Sequence, residues 1–156
     1  PSQQSGHEMI VSGAGISVDL PAGWEGSIRP PATLPDGAQR HSVTHLANFP
    51  LPPVRGEYGS GAVDLMSNGD VLIVLLEFGP ESAGTPLFDK TRPPFLRAND
   101  FSRDTLQQRV EGHGGCQRFF TEAGRPFCLY VVVGDHIDRV DVLESINSVL
   151  GGISIS

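Results

Sequence analysis

Ile16-Ser-Val-Asp-Leu20 alternates apolar and polar residues with a period of two, which predicts a strand buried on one face. Pro21-Ala-Gly23 turns the chain, and Trp24, Gly26 and Ile28 then share one face of a second extended piece that Pro30-Pro31 stops. After a loop to Gln39, Val43, His45, Ala47 and Phe49 fall on one side of a third strand, with Ser42, Thr44, Leu46 and Asn48 on the other. Ser60 is placed to cap a short helix over Gly61–Met66, closed by Ser67-Asn-Gly-Asp70. Val71–Phe78 is apolar almost throughout and reads as a central strand buried on both faces.

Downstream, residues 79–100 show no period and hold four prolines, a length of irregular chain that is often functional or mobile. Leu106–Val110 is a weak strand candidate. Cys116–Thr121 and Phe127–Val133 around Ala123-Gly124 form the clearest hairpin. Asp138 then opens a helix to Leu150 in which Val140, Leu143, Ile146, Asn147 and Leu150 repeat at helical spacing. Gly151-Gly152 ends it in a left-handed turn, and Ile153–Ile155 adds one edge strand. The expected fold is α+β: a single domain, mainly an antiparallel sheet of about six strands, with a C-terminal amphipathic helix and one short helix. No repeat or linker divides the chain. The polar stretch before Met9 reads as a leader or vector remnant, which puts the domain at 9–156.

Composition adds limits. At 156 residues the chain can bury an ordinary core, and 38% hydrophobic residues argue against disorder throughout. The 19 Gly and 13 Pro imply short elements and many turns. A net charge of −7 gives no general field for phosphate backbones or anionic lipid, so nucleic acid is not expected as a partner. Lys90 is the single lysine beside ten arginines, a bias that points to a high-GC bacterial genome rather than to chemistry. The longest apolar run, Val71–Leu76, is far below the ~20 residues that span a bilayer, and no signal-peptide pattern precedes it, so the expectation is a soluble protein, cytoplasmic rather than secreted. With the hairpin turn near Gly124, Cys128 stands opposite Phe119 or Phe120, leaving Cys116 about 10 Å further along, too far for a disulfide. Two thiols are expected, Cys128 as a small core residue.

Candidate chemistry is sparse. His41 and His45 are spaced i, i+4, which suits a metal on a helix, but in a strand they stand about 13 Å apart. His113 and His136 lie beside turns and read as solvated. Neither a metal, a cofactor nor a catalytic set is expected. Gly59, Ser60 and Gly61 form a turn whose amides could cradle an anion, although no P-loop Lys accompanies them and a plain turn is favoured. Glu77 interrupts the most apolar strand; it is either a buried carboxylate with a raised pKa or a strand-end acid that reaches solvent or an Arg, and the second reading is favoured. Asp19 and Asp64 sit on polar faces. In the long loop, Phe88, Phe95 and Phe101 are either anchors, the favoured reading, or, with Arg92 and Arg97, a partner surface.

Gly15-Ile-Ser-Val-Asp-Leu-Pro-Ala-Gly-Trp24 resembles the strand, Pro, small residue, Gly, Trp opening of the PsbP-like superfamily, and the late hairpin, helix and short strand over 116–155 resemble its close. The resemblance covers the two ends of the chain and not residues 56–100. It implies an antiparallel sheet flanked by helices and non-enzymatic roles as accessory subunit, lipoprotein domain or binding module. The function expected first is a non-catalytic binding or accessory domain that meets a protein partner through the Pro-rich loop. The alternatives are a small-molecule or enzymatic pocket around His45 and Glu77, and self-association through an edge strand at Ile153–Ile155 or Met9–Val11.

Overall fold

A computed structural model of the chain describes residues 7–156. Strand β1 (His7–Gly13) begins two residues ahead of the boundary expected at Met9, and the rest of the expected leader lies outside the described residues. The hairpin from β1 into β2 (Ile16–Pro21) turns on Ala14 and Gly15, both with positive φ (53° and 75°), which matches the right-handed twist of the flanking strands. Ile16, Val18 and Leu20 are buried as their period predicts.

The central sheet holds five antiparallel strands in the order β3 (Glu25–Arg29), β6 (Val43–Ala47), β7 (Val71–Glu77), β9 (Arg125–Val133) and β8 (Gly114–Glu122). The run at β7 is indeed central and buried on both faces. Between β3 and β6, β4 (Ala32–Thr33) and β5 (Gln39–Arg40) make a two-residue ladder inside the expected loop. Helix α1 (Arg139–Gly151) follows β9, and β10 (Ile153–Ile155) joins β2 at the edge of a three-stranded sheet ordered β1-β2-β10. The fold is thus mostly antiparallel sheet with one C-terminal helix and short 3-10 turns. Among the described residues ten strands in three sheets replace the expected six or so, in part because the shortest ladders carry too few residues to show a period.

Two cores share the sheet. On one face, Leu46, Ile73, Leu75, Leu129 and Val131 pack against β2, β10 and the α1 residues Ile146, Val149 and Leu150. On the other, Val43, Leu72, Val74, Leu76, Tyr130 and Val132 are covered by irregular chain alone, contributing Phe49, Tyr58, Val63, Met66, Phe78 and Leu106. Both faces are covered, so β7 can be apolar throughout although the sheet is antiparallel.

Several local expectations change. The helix expected over Gly61–Met66 is one 3-10 turn at Val63–Leu65, without a side-chain cap from Ser60. Leu106–Val110 is not a strand: the Gln107 amide donates to the Tyr130 hydroxyl (2.8 Å), and Leu106 and Val110 pack onto the second core. Asp138 makes no cap bond; Asp135 accepts from the Ile137 amide to start a 3-10 turn before α1. Gly152 ends the helix with φ −90°, not in the left-handed region. Glycine is required there for closeness, since a Cβ would stand 2.6 Å from the Asp19 carbonyl oxygen. Val140, in the first turn, stays exposed. Among the described residues no helix is long and apolar enough to cross a membrane.

Candidate functional site

Residues directly opposite in an antiparallel ladder share a face, so the register decides which candidates meet. His45 stands opposite Val74 and Ser27, on the loop-covered face. Glu77 stands opposite Phe127 and follows Leu75 by two, on the helix-covered face. His45 and Glu77 therefore point to opposite sides of the sheet, and the pocket expected around the pair does not form.

Around His45 a different site does form. Trp24, Gly26 and Ile28 face the helix side, which leaves Ser27 and Arg29 on the same side as His45. Over this row folds the Pro-rich segment 50–61. The Leu51 amide donates to Glu25 (3.0 Å), and Gly59 and Gly61 turn the chain with φ 87° and 92°. Arg55 then reaches back: its Nε–H donates to His45 Nδ1 (2.7 Å), Nη1 to the Pro52 carbonyl (2.6 Å) and Nη2 to the Ser27 hydroxyl (2.5 Å). Arg29 donates from Nη2 to the His41 carbonyl (3.1 Å) and to Glu57 Oε2 (2.9 Å), while its Nε is buried without a partner. Between them opens a cavity of about 330 Å³, lined by Ser27, Arg29, His45, Arg55, Gly56 and Glu57 with Val43 and Pro53.

The hydrogen bonds settle the state of His45. Nδ1 accepts from Arg55, so Nε2 carries the proton and donates to the Glu57 carbonyl (2.8 Å). Burial lowers its pKa most; the bond to the Glu57 carbonyl raises it, and the Arg55 and Arg29 charges lower it again, for a net value below the ordinary 6.5. The folded state resists protonation that the unfolded chain accepts, so stability is full above 6.5 and falls as pH drops from 6.5 through the lowered value. Nitrogen-15 NMR of the imidazole is expected to show Nε2–H as the neutral tautomer and a titration midpoint below 6.5; an Nδ1–H tautomer or a midpoint above 6.5 would overturn the assignment.

Glu77 is the strand-end acid that reaches an Arg. Its carboxylate takes two hydrogen bonds from Arg125 (2.8 and 2.9 Å) and one from the Ser42 hydroxyl (2.6 Å). Burial alone would raise its pKa, but the Arg125 and Ser42 hydrogen bonds and the Arg125 charge outweigh it, and the net shift is downward. The favoured reading thus describes Glu77, and the alternative of a buried carboxylate with a raised pKa does not.

The long loop is anchored. Phe88 is buried against Phe78 and Phe119, with ring centroids 5.3 and 5.5 Å away. Phe101 is buried too, and the Leu96 backbone is gripped from both sides by the Asn147 amide. Arg92 clamps Glu122 and the carbonyls of Leu150 and Ile153, a structural role rather than a partner contact. Of the large apolar side chains in the expected partner region, Phe95, 49% exposed beneath the Arg97 guanidinium, and Leu87 face solvent.

The remaining candidates resolve as structure. In the Gly59-Ser60-Gly61 turn, the Gly59 amide bonds to the Gly56 carbonyl, and the Ala62 and Val63 amides both bond to the Gly59 carbonyl, so three amides in and after the turn are committed to its own backbone. His113, expected to be solvated, is instead buried, and its Nε2 donates to the Val63 carbonyl (3.0 Å). Cys116 and Cys128 are buried free thiols on opposite faces of the sheet, with pKa values pushed by burial to about 11. No group of three or more metal-ligating side chains gathers among the described residues.

Sequence reasoning missed Arg29, Arg55, Ser27 and Glu57. The alternation at Trp24, Gly26 and Ile28 already places Ser27 and Arg29 on a common face, but nothing in the pattern says that residues 50–61 fold over it. No known protein family, curated protein or solved structure matches the chain, so the reading of this site rests on its own geometry.

Proposed function

We propose that this chain is a non-catalytic binding domain whose binding site is the cavity between β3, β6 and the segment 50–61. The observation that carries the reading is that the cavity is polar, of ligand size and rigidly built: its histidine has both ring nitrogens engaged, and three hydrogen bonds fix Arg55. A histidine whose one lone pair already accepts from an arginine is poorly placed as a general base, and Glu77 and both thiols are equally committed to structure. Both cores are built on the central sheet, which supports one α+β domain. A PsbP-like relationship belongs to the same proposal, supported by the opening at 15–24 and by the succession of β8, β9, α1 and β10, and it agrees with an accessory or binding role.

The test is amide chemical-shift mapping with glucose, choline, succinate and inorganic phosphate in turn. Saturable shifts clustered at Ser27, His45 and Gly56 with any of these support the reading. Shifts confined to other regions, or none, overturn it.

Self-association is a second reading favoured by one observation. β1 is an edge strand on which Ile10 is 68% exposed, and the hairpin register leaves the Ile10 and Ser12 amides facing away from β2. If β1 pairs with a second copy, sedimentation shows a dimer that Ile10→Lys dissociates; a monomer at high concentration removes this reading.

A further inference from the structure

The charges around the cavity do not balance. Arg29 meets the carboxylate of Glu57, whereas all three partners of Arg55 are neutral: an imidazole, a carbonyl and a hydroxyl. Among the described residues no acid lies in ion-pair range of Arg55, and His45 as the Nε2–H tautomer adds no charge. Arg55 keeps one unused N–H on each terminal nitrogen, and the Ser27 hydroxyl, which accepts from Arg55, keeps its own proton to donate. Arg29 adds a buried Nε that has no partner. The site thus offers donors and one uncompensated positive charge, with the planar fork suited to two-oxygen recognition.

We propose that the cavity takes a small oxyanion, a carboxylate or phosphate group, which supplies the missing counter-charge to Arg55 while Arg29 and Ser27 complete its hydrogen bonds. This rests on the binding reading above and names its ligand class. A cavity of about 330 Å³ is at the lower end for ligand sites, so the anionic group belongs to a small molecule or to the tip of a larger one. Glu57 is the one acid in the lining; half-exposed on Arg29, it occupies part of the positive field that the ligand would use.

The experiment is calorimetric titration of the whole chain with succinate and with inorganic phosphate, using glucose and choline as neutral and cationic controls. Binding of succinate, phosphate or both, without the controls, is expected, and the relative affinities say which group the site favours. Arg55→Gln should weaken binding about 10- to 100-fold, as for a hydrogen bond to a charged group. Because Arg55 also holds the segment 50–61, the second variant is Glu57→Gln, whose half-exposed ion pair should contribute little to the stability of the fold and whose loss should tighten binding about two- to fivefold. Binding of glucose or choline alone would overturn the oxyanion assignment and leave the binding cavity standing. Oxyanion binding that Glu57→Gln leaves unchanged and that maps away from Ser27 and His45 would overturn it as well, and no binding by any of the four would overturn both readings.

Discussion

Glu77→Ala is expected to destabilise the protein by about 3–5 kcal/mol, the loss typical of leaving one charge of a buried pair uncompensated. Glu77 and Arg125 are only 14% and 20% exposed, so water screens them weakly. Arg125 also donates to the carbonyls of Ala14 (2.7 Å) and Ser156 (2.9 Å) and lies 5.3 Å over the Phe127 ring. One guanidinium therefore joins the end of β7, the β1–β2 turn and residue 156. Arg125→Met should lose at least as much as Glu77→Ala, because it frees those carbonyls as well. Urea unfolding measures both, with a fall in Tm of roughly 6–20 °C for a loss of that size. A change of Glu77→Ala within about 0.5 kcal/mol, the range of an ordinary surface substitution, would show that the pair is solvated.

The same pair sets an acid limit. The Glu77 pKa lies below its ordinary 4.5 when folded, so the stability it contributes is full above 4.5 and is lost as pH falls through the lowered folded value. Glu77→Gln should flatten that part of the stability profile. The loss tied to His45 begins higher, below 6.5, and should persist in the variant.

Tyr130→Ala is expected to lose a similar 3–5 kcal/mol, as for other large aromatic truncations in a core. Tyr130 is 2% exposed, meets the edge of Tyr58 at 5.5 Å and 84°, and accepts the Gln107 amide through its hydroxyl. It thus fastens to the sheet both irregular segments that cover the second core. Tyr130→Phe keeps the ring and should lose only about 0.5–1.5 kcal/mol. Hydrogen exchange separates the effects: in Tyr130→Phe, protection should fall at Gln107 and its neighbours, with β7 and β9 unchanged. Equal losses in the two variants would mean that the hydroxyl, not the ring, holds the segments.

Local chemistry made a good part of the fold legible. The alternation at 16–20, the unbroken apolar run at 71–76 and the Ala123-Gly124 hairpin appear where the sequence places them, and Cys128 stands opposite Phe119. Each is a signal carried by residues that are neighbours in the chain, and burial of one or both faces follows from their period. Weak or short signals failed for the same reason. Two-residue ladders have no period, and the apolar residues at 106–110 could be satisfied by packing without pairing.

The site belongs to the other category. Sequence pattern marked His45 and Glu77 as unusual in strands, and both are indeed bound into polar networks, but separate ones. Their separation follows from the register between β6 and β7, which a single strand does not encode. Arg55 meets Ser27 from 28 positions away and Arg125 meets Glu77 from 48. Such contacts depend on which loop covers which face, and that is decided by burial of apolar surface elsewhere, around Tyr58, Val63 and Tyr130. The chain by itself determined its longer strands, its C-terminal helix and the residues too polar for an ordinary core. Only the tertiary structure decided which of those polar residues meet, because a charge is placed by its distant partners and a strand by its near ones.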